Sequence, residues 1–152
     1  MVGHRIGSVS SGTLVPAELA NEFYFECDGR GGHVEWPDVN VRNSWWDRFG
    51  EISDRLFPND DGSMTDDSEI VSESVDELSE LLNEIAPPYT YFGAHCGDGA
   101  DFGFWPDFES IDEMPKFDDF PDTLPGQDFV VVNDHGNMTI YSAAGEMLWD
   151  CI

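Results

Sequence analysis

The sequence predicts a single α+β domain spanning residues 1–152, with an antiparallel sheet, a C-terminal three-stranded meander and a long acidic amphipathic helix. The chain has 152 residues, the size of one ordinary domain, and 40% of them are hydrophobic, which is enough for a core. Residues 67–86 show helical periodicity, whereas most of the segment after them alternates between strand and turn signals.

The first third of the chain has the weakest patterns. "LVPAELANEFYF" at 14–25 is typical of a short helix that runs into a strand, and "GRGG" at 29–32 is typical of a flexible turn. A helix is expected from about Ser44 to Phe57, because bulky apolar residues recur there near helical spacing. Pro58 and the following "NDDGS" end it.

The acidic helix is predicted from about 67 to 86. Asp66, with Glu69 three positions later, resembles a capping box, and Pro87 with Pro88 closes the far end. At about 100° per residue, the apolar side chains occupy an arc of roughly 140° and the acidic ones an opposite arc of roughly 100°. The acidic arc comprises Glu69, Glu73, Asp76, Glu77, Glu80 and Glu84.

This acidic face has an unusual composition. Like charges four residues apart on a helix cost about 0.2 to 0.5 kcal/mol per pair, and such pairs recur along the face. No Lys or Arg occurs between positions 56 and 115. Folding does not require this arrangement, so we expect another reason for it.

Strand and turn signals dominate after the helix. "YTYFGAHC" and "FGFW" flank "GDGAD", which predicts a hairpin, and "FESIDEM" after Pro106 predicts a short helix. Residues 115–128 form an acidic loop punctuated by prolines. "FVVVN", "NMTIYS" and "EMLWDCI" predict three strands joined by turns at "DHG" and "AAG".

The charge of the chain is strongly one-sided: 32 acidic residues face 6 basic ones, a net of -26. Residues 1–55 contain five Arg against nine acids, whereas residues 56–152 contain only Lys116 against 23 acids, a net of -22. This imbalance implies a positively charged partner or a very salty solvent. Direct binding to nucleic acid or to an anionic membrane is not expected.

A metal site is the first alternative at "AHCGDGADFGFW" (94–105). His95, Cys96, Asp98 and Asp101 are ligand types, but neighbouring residues on a strand point to opposite faces. The spacing also lacks the further ligands of a calcium loop. A tight turn is therefore favoured over weak divalent or zinc binding, and no metal or cofactor is expected.

Enzyme signatures are the second alternative. Cys27 with His33, or Cys96 with His135, could form a nucleophilic pair, but no protease or transferase signature surrounds them. Among 32 acids some pair always has a glycosidase-like separation, and no phosphate-binding glycine loop occurs. We predict no enzymatic activity. The three cysteines include no CxxC pair, the N-terminus lacks a signal-peptide core and no 18-residue apolar run occurs, which predicts a soluble intracellular protein.

The carboxylates suggest mimicry of DNA. Duplex DNA carries one negative charge per roughly 1.7 Å, so a net of -22 matches roughly 37 Å of duplex. A compact domain of this length has a diameter of roughly 40 Å. A salt-adapted protein of unknown function is one alternative, although 13% aromatic residues and the concentration of charge after residue 55 argue against it. An acidic protein-interaction module that does not mimic DNA is another.

Two segments, "YFGAHCGDGADFGFWPD" at 91–107 and "VVVNDHGNMTIYSAAGEMLWDCI" at 130–152, resemble segments of small proteins carried by phages and other mobile elements. In size and charge the chain is also similar to phage-encoded DNA mimics of the anti-restriction and anti-CRISPR type. The resemblance implies a phage origin and an inhibitory role in the host cytoplasm.

We therefore expect an inhibitor that blocks the DNA-binding surface of a positively charged host defence complex. A type I CRISPR surveillance complex is the first expected target and a restriction enzyme the second. Phe117 and Phe120 are expected to anchor the contact. The predicted contact residues are the six helix carboxylates together with Asp98, Asp101, Asp107, Asp118, Asp119 and Asp122.

Overall fold

A computed structural model describes residues 5–151; residues 1–4 and 152, which the predicted domain includes, lie outside the described residues. The described elements are β1 (Gly7–Ser10), α1 (Pro16–Gly31), α2 (Val39–Leu56), α3 (Ser68–Glu84), β2 (Thr90–His95), β3 (Asp98–Pro106), α4 (Phe108–Asp112), β4 (Lys116–Phe117), β5 (Phe129–Val132), β6 (Met138–Tyr141) and β7 (Met147–Cys151). The strands form a three-stranded antiparallel sheet in the order β1-β3-β2 and a four-stranded mixed sheet in the order β4-β5-β6-β7. The predicted α+β class is confirmed.

The described chain divides into two compact units, whereas the sequence predicted one domain. The helical unit contains Ser8–Ala86 and Phe92–Gly103. The C-terminal unit contains residues 5–7, Pro87–Tyr91 and 104–151. Each unit has its own apolar core.

Helix α1 corrects the prediction for the first third of the chain. It is one continuous helix from Pro16 to Gly31, so the predicted strand near residue 25 and the predicted turn at 29–32 are wrong. Pro16 fits the first turn, where its missing N–H costs nothing. A Cβ added to Gly31 would lie 2.7 Å from a ring atom of Trp45 and 2.8 Å from one of Trp46. Gly31 therefore serves the close packing of α1 on α2 rather than a turn.

Helix α2 begins at Val39, five residues earlier than the expected Ser44. The carboxylate of Asp38 caps it by accepting a hydrogen bond from the Asn40 amide at 2.6 Å. Its first turns are exposed and carry no apolar stripe, so periodicity could not detect them. The helix ends at Leu56, with Phe57 as its C-cap.

Helix α3 has a different cap from the one predicted. The carboxylate of Asp67, not of Asp66, accepts hydrogen bonds from the amides of Glu69 at 3.0 Å and Ile70 at 3.3 Å. The helix ends at Glu84, two residues before the expected boundary. The prediction placed the cap one residue too early because both candidates are aspartates, and only the backbone geometry distinguishes them.

The core of the helical unit is built around α3, which packs against both α1 and α2. The Trp45 indole donates a hydrogen bond to the Leu81 carbonyl at 3.0 Å, and the Cys27 thiol lies 3.8 Å from the Leu78 carbonyl. Helix α1 reaches the sheet through Phe23, whose ring meets those of Phe92 and Phe102 edge-on at 5.0 and 5.5 Å. These contacts fix which face of α3 is buried.

The C-terminal unit contains the predicted three-stranded meander. Strands β5, β6 and β7 pair antiparallel, with Val130 opposite Ile140 and Ile140 opposite Trp149. Strand β4 pairs parallel with β5, so this sheet is mixed rather than purely antiparallel. The sequence missed β4 because only two residues of the acidic loop, Lys116 and Phe117, form it.

Candidate functional site

Two of the six predicted carboxylates on α3 bind arginines of α2. Glu77 pairs with Arg55 at 2.5 Å, and Glu84 pairs with Arg48 at 2.8 Å. Arg55 follows Arg48 in the chain but binds the earlier of the two glutamates, as expected for antiparallel helices. The two arginines are seven residues apart, and so are the two glutamates, which corresponds to about two helical turns. The segment from 56 to 115 has no Lys or Arg, and the partners of these two glutamates come instead from the neighbouring helix α2.

Helix geometry explains why these two glutamates are the ones that pair. Viewed down the helix axis, with Glu69 set at 0° and a rotation of about 100° per residue, Glu84 lies at about 60° and Glu77 at about 80°. The apolar arc begins next to them, at about 100° with Ile70. They therefore form the edge of the acidic face that borders the helix packing.

The other four carboxylates form what we call the open carboxylate row: Glu69, Glu73, Asp76 and Glu80. All four are exposed, and none makes an ion pair within residues 5–151. They lie within an arc of about 60° and extend about 16 Å along the helix.

The two arginines also interact electrostatically, at longer range, with carboxylates of the open carboxylate row. The hydrogen bond from Arg55 to Glu77 raises the pKa of Arg55, and the charges of Glu77, Glu73 and Glu51 add to this effect. The pKa of Arg48 is raised mainly by its hydrogen bond to Glu84, with the charge of Glu80 as a smaller cause. Arg48 and Arg55 therefore partly offset the repulsion on one side of the row.

The hairpin residues take part in local turn contacts. The turn between β2 and β3 is formed by Cys96 and Gly97, and the Gly97 amide donates to His95 Nδ1 at 2.9 Å. Asp98 Oδ1 accepts from the Ala100 amide at 3.0 Å. These contacts favour the turn interpretation, and residues 5–151 contain no group of three or more His, Cys, Asp or Glu that could hold a metal ion.

Asp101 connects two strands of the helical unit. Its carboxylate accepts a hydrogen bond from the Ser8 hydroxyl at 2.5 Å. Asp98 is exposed and Asp101 is half-buried. Both belong to the same unit as the open carboxylate row.

The remaining four predicted residues belong to the C-terminal unit. Asp107 precedes α4, and its carboxylate accepts from the Ser110 hydroxyl at 2.9 Å. Asp118, Asp119 and Asp122 are exposed in the loop between β4 and β5. The twelve predicted contact residues are thus divided, eight in the helical unit and four in the C-terminal unit.

The two predicted aromatic anchors pack on the sheet of the C-terminal unit. Phe117 meets Phe129 edge-on at 5.7 Å, and Phe120 meets Phe129 and Tyr141 at 5.6 and 5.1 Å. Phe120 is nevertheless 49% exposed. Phe120 therefore packs the acidic loop onto the sheet and leaves part of its ring exposed.

The folded distribution of charge differs from the distribution along the sequence. The helical unit has 21 acidic residues against 4 arginines, a net of -17, and the C-terminal unit has 11 acidic against 2 basic residues, a net of -9. Both units are strongly acidic, because residues 56–86 fold together with residues 8–55. The uneven charge along the chain therefore no longer argues against salt adaptation.

The cysteine and histidine pairs gain no support. Burial raises the pKa of the Cys27 thiol well above its usual value, and the charges of Glu26 and Asp28 raise it further. A thiol that stays protonated at neutral pH is a poor nucleophile. Cys96 and His135 belong to different units.

A polar cleft in the helical unit was not predicted. It has a volume of about 380 Å³ and lies beside β1 and the first turns of α1. Glu18, Asn21 and Glu22 line it from the helix. Their spacing of three and four residues is visible in the sequence. Only the fold shows that the other lining residues come from the segment between Val9 and Thr13.

No helix within residues 5–151 is both long enough and apolar enough to cross a membrane. No family model, no curated protein and no solved structure matches this chain. A functional assignment therefore depends on the charges and geometry of its own residues.

Proposed function

We propose that the protein is an inhibitor that presents carboxylates in place of nucleic-acid phosphates and blocks the DNA-binding surface of a host defence complex. The open carboxylate row carries this proposal. Its members sit at like-charge spacings that cost about 0.2 to 0.5 kcal/mol per pair, and none of them makes an ion pair within the described residues. No ion pair within the described residues therefore lets these carboxylates stabilise the fold. Ion pairs with a basic surface would let them stabilise a complex.

Charge density indicates that the whole helical unit takes part. The row has one charge per about 5.5 Å of helix, compared with one per about 3.4 Å on a single DNA strand. The helical unit as a whole, with its net charge of -17, matches about 29 Å of duplex. Asp98 and Asp101 belong to this unit and extend the proposed surface beyond α3.

The target is a DNA-binding complex in the host cytoplasm with a lysine- and arginine-lined groove. A type I CRISPR surveillance complex is the first candidate and a restriction enzyme the second. The resemblance in size and charge to phage-encoded DNA mimics supports an inhibitory role. The acidic loop of the C-terminal unit, with exposed Phe120, is a second contact in the proposal.

The test compares two triple variants that remove equal charge. One carries Glu69→Gln, Glu73→Gln and Glu80→Gln in the row. The matched control carries Glu109→Gln, Glu113→Gln and Glu146→Gln, which are exposed in the C-terminal unit. Binding to a purified type I surveillance complex and to a restriction enzyme is measured by calorimetry, with duplex DNA as competitor.

The row variant should bind at least about tenfold more weakly, because three contacts of about 0.5 kcal/mol or more are lost. The control should change affinity less than about threefold. Duplex DNA should displace the protein, and added salt should weaken the complex steeply. Equal losses in both variants, or no binding to either target, would contradict the proposal.

Salt adaptation is the second candidate, favoured by the high acidity of both units. It predicts that the protein unfolds in about 0.1 M KCl and folds only near molar salt. Mimicry predicts a folded protein at both concentrations, which circular dichroism can measure. An acidic interaction module that does not mimic DNA would bind its partner without competition from duplex DNA.

A further inference from the structure

The sheet of the C-terminal unit has one face that is only partly covered. Ile140 and Trp149 are cross-strand partners in the buried core of this unit. Tyr141 follows Ile140 on β6, so its side chain points to the opposite face, and Met147 of β7 is its cross-strand partner. Met147 is 42% exposed. This second face of the sheet is therefore exposed to solvent at β7.

Two apolar side chains of the acidic loop extend the exposed area. The Phe120 ring meets the Tyr141 ring at 5.1 Å. A Cβ added to Gly145 would lie 3.4 Å from the Phe120 ring and 3.2 Å from Leu124 Cδ2, so both side chains contact the turn between β6 and β7. Phe120 is 49% exposed and Leu124 is 41% exposed. We call Phe120, Leu124 and Met147 the loop–turn patch.

Asp128, at the end of the acidic loop, holds the loop and the turn together. One oxygen of its carboxylate accepts a hydrogen bond from the Tyr89 hydroxyl at 2.5 Å, and the other accepts one from the Ala143 amide at 2.8 Å. The Gly145 amide closes the turn by donating to the Ser142 carbonyl at 2.9 Å. The loop–turn patch is thus preformed, so a partner binds it without a large cost of ordering.

Carboxylates surround the loop–turn patch and indicate the chemistry of its partner. Asp119 and Asp122 are exposed in the acidic loop. Asp150 is also exposed, and it pairs with Thr139, two residues before Tyr141, which places it on the same face of the sheet. An apolar centre with a polar rim is the usual composition of a protein–protein interface, and this rim is negative.

The charge of the C-terminal unit distinguishes between possible occupants. No Lys or Arg occurs between positions 117 and 152, and the unit has a net charge of -9. A second copy of the chain would bring two acidic units together, and an anionic membrane would repel the unit. A protein segment with lysines or arginines around an apolar centre has the complementary charge.

The position of the loop–turn patch on a sheet face favours a helix over an extended segment. Its side chains offer no row of backbone groups with which a strand could pair. A helix satisfies its own backbone hydrogen bonds and presents one apolar stripe. We propose that the loop–turn patch binds a basic amphipathic helix of a partner protein. This binding goes beyond the proposed function, because it does not require the open carboxylate row to occupy a DNA-binding groove.

The test is an NMR titration of the ¹⁵N-labelled protein in 0.15 M KCl, which screens diffuse attraction to the acidic surface. The first probe is a peptide of about 14 residues, roughly four helical turns, with leucines along one face and lysines along the other. The second peptide has the same composition in an order that spreads the leucines around the helix, and the third has glutamate in place of lysine. The first probe should give saturable shifts at the amides of Leu124, Gly145 and Met147. The other two should bind at least about tenfold more weakly.

Matched variants localise the binding. Leu124→Ser and Met147→Ser should each weaken the first probe about fivefold, because each removes an apolar contact. Phe108, which is 56% exposed on α4 and outside the loop–turn patch, provides the control, and Phe108→Ser should change binding less than twofold. Asp150→Asn should weaken binding about twofold, and Asp134→Asn, in the turn at the other end of β6, should change it less. Unchanged spectra away from the patch show that each variant is folded.

Several outcomes would overturn the proposal. Equal binding of the reordered peptide would mean that charge alone attracts the probe, and equal weakening by Phe108→Ser would place the contact elsewhere. Shifts of the patch amides on dilution of the protein alone would identify a second copy as the occupant, and stronger shifts with phosphatidylcholine bicelles would identify a lipid surface. The absence of saturable shifts would also contradict it. The titration uses no defence complex, so its failure would leave the test of the open carboxylate row unaffected.

Discussion

Arg55 of α2 binds Glu77 of α3 at 2.5 Å, which places a positive charge at the edge of the acidic helix. Arg48 and Glu84 repeat the contact about two turns away. The acidic face thus has one edge with basic partners and a row of four carboxylates that make no ion pair with any residue from 5 to 151. This asymmetry gives the proposed mimic surface its boundary.

The Arg55–Glu77 pair should contribute little to stability. Both side chains are about two fifths exposed, and such surface pairs contribute about 0.2 to 1 kcal/mol. A double-mutant cycle with Arg55→Gln and Glu77→Gln, followed by urea unfolding, should give a coupling energy in that range. The coupling should fall when salt is raised from 0.05 to 1 M. A coupling above about 2 kcal/mol, unaffected by salt, would show that the pair is a structural requirement.

Asp67 should be the residue that begins α3. Asp67→Ala removes the acceptor for two amides and should lower the free energy of unfolding by about 1 kcal/mol. Asp66→Ala is the matched control and should change it by less than about 0.5 kcal/mol. Equal effects in thermal or urea unfolding would mean that the two aspartates share the cap.

Gly31 and Gly29 should respond oppositely to the same substitution. Gly31→Ala places a Cβ against the Trp45 and Trp46 rings and should destabilise the fold by about 1 to 3 kcal/mol. At Gly29, in the same helix, a Cβ meets nothing within 4 Å. Gly29→Ala should therefore stabilise by about 0.5 kcal/mol, because alanine favours the helix. Calorimetric melting checks the sign of both changes, and stabilisation by Gly31→Ala would refute the packing explanation.

Tyr89 should make stability depend on pH under alkaline conditions. Its hydroxyl donates to Asp128 at 2.5 Å, and this hydrogen bond is the main reason that its pKa rises to about 12 from 10.0. Between these values the folded state holds a proton that the unfolded state has lost, so stability falls as pH rises from about 10 to 12. Tyr89→Phe should lower stability by about 1 kcal/mol at pH 8 and remove this part of the decline. Urea unfolding of the wild type and of Tyr89→Phe across this pH range measures the stability and its dependence on pH, and an unchanged decline in the variant would contradict the explanation.

The fold class could be predicted because its signals are local. Apolar spacing placed α3 within two residues of each end, and the turns at 134–136 and 143–145 separated the strands of the meander. The turn at 29–32 was predicted wrongly, because the sequence alone does not distinguish a glycine needed for close helix packing from a glycine needed for a turn. The start of α2 and the two residues of β4 carry no periodic signal at all.

By itself the sequence determined the α+β class, the amphipathic division of α3 and the excess of carboxylates, since these depend on residue types and on spacing within one element. Only the tertiary structure decided which carboxylates meet arginines, that both units are acidic, and that Ser10, Glu18 and Glu22 line one cleft. The physical reason is that ion pairs and clefts are made by residues far apart in the chain. Arg48 and Glu84, for example, come together because buried side chains such as Trp45 and Leu81 pack α2 on α3.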